Sequence, residues 1–145
     1  MMKAERLVID TNVLISAALQ SRGTPAQLLD ALRRSPATLL FSHETQEELA
    51  TRLLKSKFDR YVSSAGRLKF LAQLDAVAEY VAITGRPMGC RDRDDDKFLE
   101  TAVLGLADCL ISGDNDLLAL HPYHDLPILP PATALTWFFP QTSPQ

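Results

Sequence analysis

Cysteine is scarce in this chain. The two present, Cys90 and Cys109, lie too far apart in sequence for a local metal knuckle and are too few for a disulfide framework. Cys109 falls in an apolar run and reads as a small core residue. Long apolar runs are missing as well: Val13 to Leu19 is the longest, far short of the roughly 20 residues a membrane span needs. Met1 to Arg6 is polar, unlike the apolar leader of a secreted protein. These absences predict a cytoplasmic protein without membrane association. Neither an internal repeat nor a low-complexity segment occurs, and no aromatic motif of the kind used to stack single-stranded RNA is visible. His43, His121 and His124 stand apart from the acidic positions and read as surface or capping residues. No serine or cysteine has a base recognisably placed beside it, which disfavours covalent catalysis.

What remains is an ordinary globular composition, 46% apolar and 23% charged over 145 residues, the size of one compact domain that can bury a core without staples. That domain is expected over residues 1–140, with Gln141 to Gln145 as a frayed tail. Strand and helix signals alternate along the chain. Leu7-Val8-Ile9 reads as a buried strand, followed by Asn12 as cap of the next apolar segment; Thr24-Pro25 reads as cap and first residue of a helix carrying Leu28, Leu29 and Leu32. Thr38 to Phe41 is a second strand. Ser42 then caps a helix to about residue 55 whose inward side is Leu49, Leu53, Leu54 and Phe58, and further helical segments carry Leu68, Leu71 and Leu74. Tyr80 to Ile83, Asp108 to Ile111 and Pro127 to Leu129 complete the strands. Asp95 to Leu106, Asp116 to Leu120 and Pro131 to Phe139 complete the helices, with Trp137 docked on the body. Strands separated by helices imply a three-layer α/β/α fold with a mainly parallel central sheet.

In such sheets functional groups collect beyond the carboxyl ends of the strands, and acidic residues recur there: Asp10, Glu47 and Glu48, Asp92 to Asp96, and Asp114 with Asp116. Each has a plain alternative. Asp10 and Asp114 suit helix caps, Glu48 suits a surface pair with Arg52, and some of Asp92 to Asp96 suit a helix N-terminus. All of these would have to hold independently, whereas one shared cation site accounts for the set at once. Converging carboxylates repel one another unless a positive charge lies between them, and oxygen-only ligands suit one or two hard ions, Mg²⁺ or Mn²⁺. The net charge of −3 argues against a nucleic-acid partner, but that objection weakens if the acids are gathered at metals. The basic run Arg52, Lys55, Lys57, Arg60, Arg67 and Lys69 is either a solvated helix face or a substrate-facing patch.

The ordered segments Leu7 to Asn12, Ser42 with Glu48-Leu49, Asp92 to Leu99 and Leu110 to Leu118 resemble the motifs of the PIN-domain ribonucleases, and among them the branch similar to VapC-type toxins. The resemblance implies an acidic quartet of Asp10, Glu48, Asp95 and Asp114, with Asp92 and Asp116 as further acids near the metals. Thr11, Asn12 and Ser112 match polar positions that orient ligands or waters. A helical wheel does not choose between Glu47 and Glu48; spacing from Ser42 and the following Leu49 favour Glu48. Asp95 is preferred to Asp96, where the family often has Asn. Arg93 replaces a common Pro and Ser112 a common Thr, neither of which removes a carboxylate.

Metal-assisted hydrolysis of a phosphodiester is the chemistry such a site suits. Asp10 and Asp114 are the leading candidates for direct or bridging ligands, while Glu48 and Asp95 complete the shell or orient the attacking water. The resemblance further implies an RNA substrate cut to a 5′-phosphate and a 3′-hydroxyl, a homodimer, and inhibition by a small antitoxin that covers the pocket or inserts Arg or Lys into it. Arg52, Lys55 and Lys57 would then meet backbone phosphates. Three other readings fit parts of the pattern. A phospho-receiver would want adjacent acids after the first strand and a Lys after the fifth. A phosphatase of the haloacid-dehalogenase type would want Asp where Asn12 stands. A PIN fold acting only as a binding module would have no need of intact acids.

Overall fold

The computed structural model describes residues 6–140; the expected tail at Gln141 to Gln145 lies outside the described residues. Five strands form one sheet, β1 (Arg6–Ile9), β2 (Thr38–Phe41), β3 (Ala78–Tyr80), β4 (Cys109–Ile111) and β5 (Ile128–Leu129), in the order β3-β2-β1-β4-β5. Every adjacent pair is parallel. Parallel pairing requires crossovers, and the helices supply them: α1 (Thr11–Leu19) and α2 (Thr24–Arg33) after β1, α3 (His43–Leu53) and α4 (Ser64–Val77) after β2, α5 (Asp96–Leu104) after β3, α6 (Asn115–Leu118) after β4, and α7 (Pro131–Phe138) last.

Side chains alternate across the strands, so the sheet has two apolar faces. Leu7, Ile9, Leu39, Phe41, Cys109 and Ile111 pack with Val13, Leu28, Leu49, Leu74 and Phe138 on one side. Val8, Leu40, Leu110 and Ile128 pack with Phe98, Leu99, Ala102 and Leu117 on the other. Both faces are therefore covered, as an all-parallel sheet requires. From β1 the chain moves toward β2, and from β4 it moves toward β5, so the connections leaving these neighbours diverge. A crevice opens where they part, beyond the carboxyl ends of β1 and β4.

Several local expectations change. Asp10, not Asn12, caps α1, its carboxylate accepting from the Val13 amide, because the helix begins directly after the strand. Gly23, not Thr24, is the cap of α2. The third strand runs Ala78–Tyr80 instead of Tyr80 to Ile83, since it must pair with Leu39 to Phe41 and β2 ends there. A 3₁₀ turn over Arg93–Asp95 delays α5 to Asp96, and α5 stops at Leu104. Trp137 is 43% exposed and not docked; Ala134 and Phe138, four residues apart, seat α7 instead. Leu54 and Leu68 also face outward.

Arg67 departs most from the sequence reading. It is fully buried in α4 and donates to the carbonyls of Leu53 (2.9 Å), Lys55 (2.9 Å) and Val62 (3.1 Å), and pairs with Asp59. The guanidinium fork satisfies carbonyls that the end of α3 leaves open, so Arg67 is a structural clasp and leaves the basic patch. Arg67→Met is expected to lower stability by about 3 kcal/mol, because the buried carbonyls lose their donors; Asp59→Asn, at the exposed end of the pair, should cost no more than about 1 kcal/mol. Urea denaturation of the two variants checks the difference.

Candidate active site

Backbone pairing of β1 with β4 brings the first acids together. The Asp10 amide donates to the Ile111 carbonyl (2.9 Å), so Asp10 and Ser112 leave adjacent strands side by side. The Ser112 hydroxyl donates to Asp10 Oδ2 and accepts from the Asp114 amide (3.0 Å), bridging the two acidic segments. Ser112 is fully buried and Asp10 nearly so. Burial pushes the Asp10 carboxyl up from its ordinary pKa; the Ser112 hydroxyl and the Val13 and Gly113 amides oppose this, and the charge of Asp114 adds to it.

Asp92 and Asp95 arrive from the loop before α5. Asp92 caps the 3₁₀ turn by accepting from the Asp94 amide (2.9 Å). Asp95 has a carboxyl pushed up to about 7, by burial first, then by its hydrogen bond with Asp114 and the charges of Asp114, Asp92 and Asp10. Burial and like charges brought close both disfavour the ionised form of this carboxyl. Glu48 comes from the second turn of α3. Its Oε2 accepts from the Thr11 hydroxyl, while Oε1 meets Lys97 Nζ at 2.8 Å and Arg52 at 3.3 Å.

These residues line one cavity of about 180 Å³, bounded by Asp10, Thr11, Asn12, Glu48, Arg52, Asp92, Asp94, Asp95, Phe98 and Asp114. The quartet, Asp92 and two of the three polar positions are thus neighbours. The third, Ser112, reaches the cavity through Asp10. Asp116 is not brought in: its side chain lies 3.9 Å from Arg91, and its amide donates to Asp114 Oδ1, which caps α6. Glu47 points away and pairs with His43 at 3.6 Å on the surface. Asp96 is buried beneath the loop, where burial raises its carboxyl pKa but amides of Cys90 and Met88 outweigh that and hold it low. Lys55 lines the adjoining groove with Arg52 and Lys97, whereas Lys57 sits over the Phe58 ring, outside both cavities. The sequence reading missed Lys97; its place directly after the acidic run was the available signal.

Capping and site-building use the same carboxylates. Asp10, Asp92 and Asp114 each give one oxygen to a backbone amide at a turn, which orients the group and leaves its second oxygen outside that bond. Among the described residues, no three acidic, histidine or cysteine side chains already close around a point as a finished cage. The donor set nevertheless fits a hard divalent cation. It is all oxygen, burial and then the neighbouring acids raise the Asp95 carboxyl to about 7, and a cation would offset that crowding of negative charge.

A PIN-domain family model matches residues 6–116. An uncharacterized protein of Methanocaldococcus jannaschii is 33% identical over 116 residues, which cover 79% of this chain and 74% of that protein. The fold is similar to the crystal structure of PAE2754 from Pyrobaculum aerophilum, with TM-score 0.63 at 16% identity, covering 91% of this chain and 88% of the other. It is also similar to VapBC2 from Rickettsia felis bound to a DNA fragment from their promoter, with TM-score 0.58 at 12% identity, covering 86% of this chain and 98% of the other.

The raised pKa of Asp95 sets a stability dependence in metal-free protein. A carboxyl whose folded pKa lies above its unfolded value stabilises fully below the unfolded value, near 3.8, and that contribution is lost as pH rises through about 7. Asp95→Asn removes the charge that must be accommodated at high pH. With EDTA present, the variant is expected to melt above wild type at pH 8 by roughly 3 °C, about 1 kcal/mol once solvent screening of this partly exposed group is allowed for. The difference should vanish by about pH 4, as thermal melts across that range would show.

Proposed function

This chain belongs to the PIN-domain family, and from that premise we propose that it is an endoribonuclease dependent on Mg²⁺ or Mn²⁺, acting as the toxin of a toxin–antitoxin pair. The observation that carries the nuclease reading is the single cavity holding Asp10, Glu48, Asp95 and Asp114, with Asp92 beside them. A divalent ion bound there supplies charge neutralisation for the phosphodiester and a more acidic water as nucleophile. Asp10, Asp95 and Asp114, with Asp92, are the residues that would hold it. Ser112 locks the orientation of Asp10, and Thr11 that of Glu48.

RNA is the substrate on this reading. Arg52 at the cavity wall and Lys55 in the adjoining groove offer positive charge to a phosphate backbone just beyond the acids. An antitoxin that presents Arg or Lys would find the same acids attractive, which supports inhibition by occupation of the cavity. The fold shared with VapBC2 is consistent with the toxin role. Homodimerisation and a cytoplasmic location belong to the same proposal. A phospho-receiver or phosphatase has less support, since Asp10 stands alone at its strand end with Asn12 two residues on, and β5 is followed by Pro130-Pro131 with no lysine.

Purified protein incubated with short single-stranded RNAs and Mn²⁺ is expected to cleave them, and EDTA to abolish cleavage. Asp10→Asn and Asp95→Asn, verified as folded, should each cut at about 1% of the wild-type rate or less. Equal cleavage by all three would identify a contaminant and remove the reading. Induced expression in a bacterium should arrest growth, with Asp114→Asn relieving it; unchanged arrest would remove the role of this cavity in toxicity.

A further inference from the structure

Glu48 differs from the other acids of the cavity in how its charge is met. Asp10, Asp92 and Asp114 are held by amides and hydroxyls, which carry no net charge. Glu48 is held by two cations and a hydroxyl, with both oxygens engaged: Lys97 at 2.8 Å and Arg52 at 3.3 Å on Oε1, Thr11 on Oε2. The Lys97 side chain is only 20% exposed, and its ammonium also donates to the Asp94 carbonyl (2.8 Å), which ties it to the loop that carries Asp92 and Asp95. A surface lysine free to swing away would be a weak partner; one pinned between α5, that loop and α3 is a fixed counter-ion.

Resting on the nuclease reading above, we propose that Lys97 is a positioning residue that keeps Glu48 out of the metal's ligand set and reserves it as a fixed hydrogen-bond acceptor for the attacking water. The cavity is thereby divided. One side, Asp10, Asp92, Asp95 and Asp114, is under-compensated and takes the dication; the other is neutralised from within by Lys97 and Arg52. A dication gains little from a carboxylate whose charge is already met, and drawing Glu48 away would leave the partly buried Lys97 without its anion. No bond to Glu48 forms or breaks in this role: it orients the water while the phosphodiester is cut.

Calorimetric titration of the metal-free full-length protein with Mn²⁺, without RNA, separates ligand from non-ligand. Glu48→Gln is expected to bind Mn²⁺ within about twofold of wild type, whereas Asp114→Asn loses about tenfold or more. Lys97→Met removes the nearer of the two cations that hold Glu48, so Mn²⁺ should bind about threefold tighter or more. The same variant should cleave RNA with kcat lowered about tenfold and KM unchanged, and Lys97→Arg should recover most of that loss. In the Glu48→Gln background, Lys97→Met should lower kcat no further, because the two act as one unit. A tenfold loss of Mn²⁺ affinity in Glu48→Gln would overturn the proposal by making Glu48 a ligand, as would unchanged affinity and kcat in Lys97→Met. Wild-type protein that binds neither Mn²⁺ nor Mg²⁺ would instead overturn the nuclease reading, and this inference with it.

Discussion

Parallel pairing of β1 with β4 is the constraint on which the site depends. It joins segments 102 residues apart, so that the Ser112 hydroxyl reaches Asp10 and the two strands deliver their acids to one crevice. The apolar faces of both strands are wholly buried, and a shift of register by one residue would turn Val8 and Leu110 to the wrong side. Core packing therefore holds the carboxylates together against their own repulsion. Hydrophobic burial is non-directional, but here it is converted into placement accurate enough for hydrogen bonding.

The repulsion itself is only partly relieved. Amides and hydroxyls orient Asp10, Asp92 and Asp114 without cancelling their charge, and burial together with those neighbouring charges raises the Asp95 carboxyl to about 7. Perturbed carboxyls gathered in a cleft on a rigid sheet are a common feature of functional sites. Lys97 and Arg52 meet the charge of Glu48. Six acids and one arginine line a small cavity, a composition that stability alone would not favour. Elsewhere the chain spends charge on structure: Arg67 clasps the end of α3, and buried Glu100 accepts from the Thr84 hydroxyl and the Thr84 and Gly85 amides, holding the long approach to α5.

Much of the fold was legible because its signals are local. Apolar runs bounded by turns marked Leu7 to Ile9 and Thr38 to Phe41, and Ser42 was readable as a cap because its hydroxyl serves the Thr45 amide three residues on. Misplacements fell where a distant partner decides. The third strand starts at Ala78 because β2 offers pairing only as far as Phe41, and Trp137 stays outside because Ala134 and Phe138 already fill the contact beneath α7. The candidate acids were legible as residue types after strands. Their sorting was not: Glu47 and Glu48 are adjacent on a helix, and only the positions of α1 and α5 turn one toward Thr11 and Lys97 and leave the other with His43.

By itself the sequence determined the alternation of strands and helices, the parallel sheet and the supply of acids at strand ends, since periodicity and capping act over a few residues. Only the tertiary structure decided that Arg67 is a clasp, that Asp116 stands outside the cavity and that Lys97 faces Glu48. Each of those outcomes depends on which charges and open carbonyls are brought within hydrogen-bonding reach, and that distance is set by the packing of elements remote in the chain.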